Sequence, residues 1–536
     1  MLDPEYLLRI SEGAEDISER LHADIVNRIV ERMMLRLGRG KDYLLTPQDR
    51  WQIMVLQDAG FLLSDIQKEI RERTKQQEQE VKEAFEEAGI RNLEYDDKIY
   101  EAAGLSSLAL FASPPLVRIM QRNYEATMGE WYNYTRTTAD ESQKAFINAM
   151  DKAYNLVSTG AVSYTEAFRE AIEEIVSNGV EVTYTNTETG RVHKDTIETA
   201  TLRAVRTGVS QMSGQITLER MKEVGWDIVL TSAHLGARIG DGGENHTNHT
   251  WWQGKFFSLS GQDKRFPPFS VCGKGDVQGI NGANCRHSFG PGDGENNPFT
   301  GIDTEENRRI REAEERQRLL ERRIRKTKRE VMGWKTALDN CTDERLKFEL
   351  DMKYQKKSAL LQKQNKAYND FCEKNGLKRQ HDRVRIARWD RKRAASARSA
   401  AARYKNALDI KKRQDIIKSR VESGEYNLKL SKQQYLKHVE GTKQYEDYLE
   451  TRIEKGKTPQ SRISVSEDEI QELIKTKSGT GEPEITITGN ITNKEFVCCN
   501  EIVGQHYEAG AWVDTNWLKI HYGKKSSHAV PVRGKK

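Results

Sequence analysis

The sequence predicts a multidomain, mainly α protein with α+β parts, and three observations carry that reading. Charge is partitioned: residues 1–300 hold 33 Lys and Arg against 45 Asp and Glu, residues 301–420 hold 36 against 19, and residues 421–536 hold 17 of each. Helical apolar spacing dominates residues 1–225 and 303–420. Period-two alternation is confined to short stretches and to the end of the chain. The formal +5 of all 536 residues thus describes none of the parts, and the length suits about three domains at roughly 100–200 residues each. We expect a helical N-terminal body (1–130), a small α+β domain (131–300), a long basic helical connector with coiled-coil character (301–424) and a small α+β domain (425–536).

Taken in order, Pro4 marks a first helical turn, and Ile25, Ile29, Met33 and Leu37 recur every four residues until Gly38-Arg39-Gly40. Thr46-Pro47 opens the next helix as cap and first-turn proline, with Ile53, Leu56, Leu62, Leu63 and Ile66 as its apolar positions. Residues 180–184 and 191–193 alternate around Glu188-Thr189-Gly190, a hairpin signature. The helical period resumes from Ile197 to Val224, and residues 226–230 read as a strand. In 303–420, Ile324, Val331 and Leu338 stand seven apart, and Asn375-Gly376 divides the run into two long helices. Residues 485–488, 496–497 and 517–522 return to strand patterns.

Some classes drop out. No stretch approaches the roughly 20 apolar residues of a membrane helix; the longest apolar patch, 105–117, is interrupted by Ser106, Ser107, Ser113 and Pro114-Pro115. The first residues lack the basic and apolar regions of a Sec signal. Six cysteines (272, 285, 341, 372, 498 and 499) are too few for a disulfide scaffold, which points to synthesis in a reducing cytoplasm.

Residues 231–300 are rich in Gly, Asn, His and aromatics. Here His246, His249, Cys285 and His287 offer four donors of the types a tetrahedral zinc prefers, although Cys-x-His is tight for one ion. Histidines that hydrogen-bond and stack in a loop-rich core, or a hydrolytic site, are the alternatives. No other cofactor is expected. The blocks at 232–238 (SAHLGAR), 249–255 (HTWWQGK) and 281–287 (NGANCRH), with 204–209 and the helical N-terminus, resemble phage minor capsid proteins of the Mu F-like head morphogenesis group. The resemblance spans roughly residues 1–300, with residues 239–247 inserted between Arg238 and His249. It implies a virion structural role near the portal, with no catalytic residues carried over.

The basic middle concentrates Arg322, Arg323, Arg385, Arg388, Arg391, Lys392 and Arg393. Such a surface neutralises phosphates in nucleic-acid complexes, with Trp389 and Tyr404 available for stacking. A solvated face on long helices, or a partner-binding coiled coil, stays open beside that reading.

The C-terminal residues carry the richest chemistry. Trp517 to Tyr522 alternates as a strand, Gly523 to Ser526 turns, and Ser527 to Pro531 returns. Pairing Tyr522 with Ser527 sets His521 directly opposite His528, with Cβ atoms about 4.5–5.5 Å apart, and Lys519 on the same face. Two imidazoles and a cation suit metal-free RNA cleavage: one base, one acid, one stabiliser of the phosphorane, with neighbouring charge dividing the two histidine pKa values. A polar sheet face is the plain alternative. The blocks at 436–445 (LKHVEGTKQY), 456–461 (GKTPQS), 478–481 (SGTG), 500–504 (NEIVG) and 520–531 (IHYGKKSSHAVP) resemble the type-50 polymorphic toxin domain, grouped with barnase, EndoU, colicin and RelE-like RNases. By that resemblance His438, Thr442, Ser461, His521 and His528 fall on motif positions. Gly523 and Ser526 stand where Ser and Gly are expected.

Together the resemblances imply a phage minor head protein, acting in head morphogenesis or DNA packaging, with a C-terminal metal-independent RNase toxin domain. A purely structural virion protein with an inactive nuclease-fold tail and a bacterial polymorphic toxin are the other readings. The implied partners are portal and major capsid proteins, packaged DNA or target RNA, and an immunity protein, with no membrane. The implied location is the head or portal vertex of the virion, after synthesis in the bacterial host cytoplasm.

Overall fold

Asp3 caps the first helix, α1 (Pro4–Arg9), by accepting from the Glu5 and Tyr6 N–H groups, and Pro4 occupies the first turn where its missing donor costs nothing. In the computed structural model, which describes residues 1–37, 47–185, 192–386, 388–486 and 490–534, the chain divides into two compact units, Met1–Ala401 and Ala402–Lys536.

In the first unit, α2 (Glu12–Leu37) buries Ile25, Ile29, Met33 and Leu37 as their spacing predicts. The predicted stop at Gly38-Arg39-Gly40 and the Thr46 cap lie outside the described residues. Pro47 itself holds the cap position of α3 (Gln48–Ala102). This helix buries Trp51, Val55, Ala59, Leu62 and Ile66 and leaves Ile53 and Leu56 exposed. The inward face is therefore the one bearing Trp51, which stacks on Tyr154 of α4 (Pro114–Ser158) with ring centroids 5.1 Å apart. Next come α5 (Tyr164–Asn178), the hairpin β1 (Glu181–Thr185) and β2 (Val192–Thr196), and α6 (Ile197–Val224). The hairpin's predicted turn at 188–190 is outside the described residues.

A small antiparallel sheet follows, ordered β4 (Phe256–Ser258), β3 (Ile228–Thr231), β5 (Phe289–Pro291). Between its strands lies the single turn α7 (His249–Trp252). The sheet and loops close over their own core of Trp252, Phe257, Phe269, Cys285 and Phe289.

The basic stretch forms three long helices: α8 (Thr304–Asp339), α9 (Glu344–Lys374) and α10 (Arg391–Glu422). The predicted break is present, with Asn375 ending α9 and Gly376 at φ 64°. A second break precedes it, where Asp343 accepts from the Leu346 N–H and starts a new helix. Helix α8 packs on α9, α2 and α5, burying Ile324, Val331 and Trp334. A Cβ on Gly333 would stand 2.2 Å from Val176 Cγ1, so glycine is what lets α8 approach α5.

Opposite charges tie these basic helices into the acidic body. Buried Glu198 accepts from His22 Nδ1 at 2.9 Å and Arg329 Nη1 at 2.9 Å. Burial works to raise its pKa, but His22 and Arg329 override it and hold the carboxylate ionised. Buried Asp24 meets Arg73 at 3.0 Å and Arg388 at 2.6 Å.

The second unit places α11 (Lys432–Leu436) and α12 (Lys443–Glu454) before β6 (Arg462–Ile463) and α13 (Glu467–Lys477). Four antiparallel strands form one sheet: β12 (His528–Pro531), β11 (Trp517–His521), β8 (Ile491–Cys498) and β7 (Glu482–Ile485). A second sheet orders β10 (Ala511–Thr515), β9 (Gly504–Glu508) and β6. One face of the larger sheet contributes Val497, Leu518, Ile520, Tyr522 and Ala529 to the unit's core. Alternation sends the intervening residues to the other face.

Candidate functional site

That other face carries the predicted cluster. His521 lies directly opposite His528 in the β11–β12 register, and the rings stack with centroids 4.6 Å apart. Lys519 shares the face, and Lys494 of β8 stands opposite His521 on its other side. Glu484, at the β7 edge, binds Lys519 Nζ at 2.6 Å and lies 3.6 Å from Lys494 Nζ. His438, in the turn after α11, donates Nδ1–H to the Ser461 carbonyl at 2.8 Å, with Ser461 Oγ at 3.2 Å. A carbonyl only accepts, so the proton sits on Nδ1 and Nε2 keeps its lone pair.

All three histidines are held below the ordinary imidazole range. Burial comes first for each: His438 falls to about 4, with His528, Arg452 and Lys437 adding to the effect. His521 falls to about 3, with His528, Lys494 and Lys519 adding and Glu484 opposing. His528 is lowered by burial, Lys437 and Lys494. Both opposed histidines are thus displaced in the same direction, by burial first and by neighbouring cations after it.

Thr442 does other work. It caps α12, accepting from the Tyr445 N–H while its hydroxyl faces the Leu436 and Val439 carbonyls at 2.6 and 2.8 Å. Sequence reasoning missed Lys437, Lys494 and Glu484. Lys494 was within reach had the pairing of 491–498 with 517–521 been assigned; Glu484 arrives only through the β7–β8 pairing.

In the first unit, the structure gathers three of the four predicted metal donors. His249 Nδ1 and His287 Nδ1 are 3.3 Å apart, and Cys285 Sγ is 3.7 Å from each. His246 does not join them: it lies 3.5 Å from Asp276 Oδ1 and is partly exposed. The inserted loop redirects it, since Trp252 Nε1 donates to its carbonyl and Gly273 packs under its side chain. The three gathered residues are buried among rings: His287 stacks on His234 at 4.4 Å, and Trp252 lies 4.5 Å from His249 and 4.8 Å from His287.

Outer contacts fix the ring orientations. His249 Nε2 donates to the Gln278 carbonyl at 2.7 Å, and His287 Nε2 bonds Gln253 Oε1 at 3.0 Å. The same Gln253 oxygen accepts from the His234 N–H at 3.1 Å, which marks it as the acceptor. From α8, Asn307 clamps Ala237 on both sides, and Glu314 pairs with Arg286 at 3.1 Å. Burial lowers His249 to about 4, while its bond to Gln278 opposes the shift. Burial also lowers His287 well below the ordinary imidazole range, aided by His234 and His249. Burial raises the Cys285 thiol against backbone hydrogen bonds and the charges of Arg238 and Arg286.

The seven basic candidates separate. Arg388 is engaged with Asp24, and Arg393 bonds Asp390 at 3.2 Å. Arg322, Arg323, Arg385, Arg391 and Lys392 are exposed and make no ion pair among the described residues. Trp389 is packed against the core with Lys328 Nζ 5.6 Å from its ring centre, so it is not a free stacking platform.

Fold and sites together define a chain of two kinds: a mainly helical body built for packing, and a small α+β unit with a histidine-bearing face. Comparison with family models places both. The chain belongs to the phage minor capsid protein 2 family, whose model matches residues 2–373, and its C-terminal part matches the model for bacterial toxin 50 over residues 430–531. It is thus a phage structural protein with a toxin tail. No curated protein and no solved structure matches the chain.

Proposed function

We propose that this minor capsid protein acts in head morphogenesis or DNA packaging near the portal vertex, and that its toxin tail is a metal-independent endoribonuclease. The observation that carries the nuclease reading is the directly opposed pair His521 and His528 on a cationic sheet face within the toxin-like unit. One imidazole takes the proton of a ribose 2′-hydroxyl, whose oxygen attacks the adjacent phosphorus. The P–O5′ bond breaks, and a second imidazole gives its proton to the leaving 5′-oxygen. The products are a 2′,3′-cyclic phosphate and a 5′-hydroxyl, so atoms and charge balance without water or metal.

In the free protein the imidazoles are neutral bases. The incoming phosphodiester supplies the negative charge that raises one of them into an acid, while Lys519 and Lys494 stabilise the phosphorane. His438, with its lone pair fixed on Nε2, is the third participant. Thr442 positions α12 and does not enter the chemistry. The test is RNA cleavage by the full chain in excess EDTA, beside His521→Ala and His528→Ala. Cleavage lost in both variants supports the reading. Intact RNA with the parent protein would instead favour a nuclease fold kept for binding, a role that Glu484's hold on Lys519 would suit.

Arg322, Arg323, Arg385, Arg391 and Lys392 are proposed to contact phosphates of packaged DNA. Affinity for DNA should then fall steeply with salt; an affinity that ignores salt would remove this role.

A further inference from the structure

His249, Cys285 and His287 pose a problem in proton counting. The Gln278 carbonyl can only accept, so His249 Nε2 carries hydrogen and its Nδ1 is a bare lone pair. Gln253 Oε1 already accepts from a backbone N–H, so His287 Nε2 is also the donor and its Nδ1 is bare as well. Two lone pairs thus face each other at 3.3 Å. The one remaining proton, on the Cys285 thiol, has three acceptors within 3.8 Å: both Nδ1 atoms and the His287 carbonyl. A buried acceptor left without a donor is destabilising.

The spacing fits one solution. Donors bound to a tetrahedral zinc at about 2.0–2.1 Å for nitrogen and about 2.3 Å for sulfur stand roughly 3.3–3.6 Å apart, and the observed separations are 3.3, 3.7 and 3.7 Å. The outer shell has the matching form, since zinc-bound histidines usually donate their other N–H to a carbonyl, carboxylate or water. We propose that His249 Nδ1, Cys285 Sγ and His287 Nδ1 bind one zinc ion in the capsid-protein body.

The ion accepts both lone pairs and the thiolate, and the thiol proton leaves to solvent on binding. Three protein donors leave the fourth tetrahedral position to a water molecule. The donors come from α7 and from the segment before β5, two pieces of a loop-rich region, so the ion holds together what the small sheet alone does not. His246 takes no part.

Elemental analysis of the purified full chain should give about one zinc per protein, in the parent and equally in His246→Ala and in the double variant His521→Ala/His528→Ala. Cys285→Ala and His287→Ala should lose it. Both variants truncate buried side chains, so the parent supplies a second readout. Stripped with chelator and given cobalt(II), it should develop a thiolate-to-cobalt charge-transfer absorption that zinc abolishes. Zinc below about a tenth of an equivalent together with no cobalt band would overturn the proposal. Zinc retained in Cys285→Ala but lost in the His521/His528 double variant would overturn it too, by moving the metal to the C-terminal unit.

Discussion

In the body, His249 and His287 each spend Nε2–H on a protein oxygen and turn Nδ1 inward, sealed by Trp252, His234 and Cys285. In the C-terminal unit, His521 and His528 stack across a hairpin on a partly exposed face, beside Lys437, Lys494 and Lys519. Both settings depress imidazole basicity, yet they prepare different chemistry. The sealed pair turns its lone pairs inward, out of reach of a large substrate. The sheet pair sits in a field of lysines that Glu484 partly offsets. Cations lie near both pairs, so burial, which decides access, is what separates them.

The sharpest way to separate the two clusters is to remove one member of the exposed pair. His528→Ala should slow RNA cleavage by roughly 100- to 10,000-fold, the contribution of a positioned acid or base, and leave the thermal midpoint of the body unchanged. A variant that cleaves within a few fold of the parent would put the chemistry elsewhere.

Trp252→Ala tests the sealed cluster. Its indole is fully buried against both histidines, so truncation should cost about 3–5 kcal/mol of stability with cleavage retained. Chemical denaturation followed by circular dichroism reads it, and an unchanged midpoint would mean the ring packing is loose.

A smaller effect is shared by both clusters and then divides them. His234 and His521 are held at about 3, and His249 and His438 at about 4. An unfolded histidine titrates near 6.5, so below about that pH the unfolded chain binds protons that the folded chain refuses. Stability from these groups is therefore complete above about pH 6.5 and is lost as pH falls toward about 4. Urea midpoints of both units should drop between about pH 7.5 and about pH 5.5. Inorganic phosphate should flatten the slope for the C-terminal unit, whose lysines can bind it, and leave the slope of the body as it was. Equal flattening in both units would mean that the two clusters do not differ in anion access.

Local signals in the sequence were enough for much of this. The α2 face, the hairpin at 181–196 and the opposition of His521 to His528 follow from period and turn length alone. What stayed hidden was non-local. Lys494 meets His521 only because β8 pairs with β11. Arg388 finds Asp24 across 364 positions, so a cation that looks free in sequence is engaged in the fold. Ile53 and Leu56 fit a helical apolar stripe that packing assigns to Trp51 and Val55 instead. The break at Asp343 had a local signal, an Asp cap, masked by good helix formers on both sides.

The ties among Glu19, Glu198 and Arg329 have a consequence for the order of events on the ribosome. Helix α2 emerges early, but its partner α8 follows roughly 300 residues later, which at about 5–20 residues per second is a wait of about 15–60 s. Until then Glu19 lacks its α8 arginine, although α3, α5 and α6, which also pack on α2, are made earlier. The capsid-family body becomes complete only as residues near 400 appear, shortly before the histidine face of the tail is made. A nascent chain thus completes its structural part before its toxin-like part exists, and a chain stalled in the helical middle would present an unfinished body with no toxin attached.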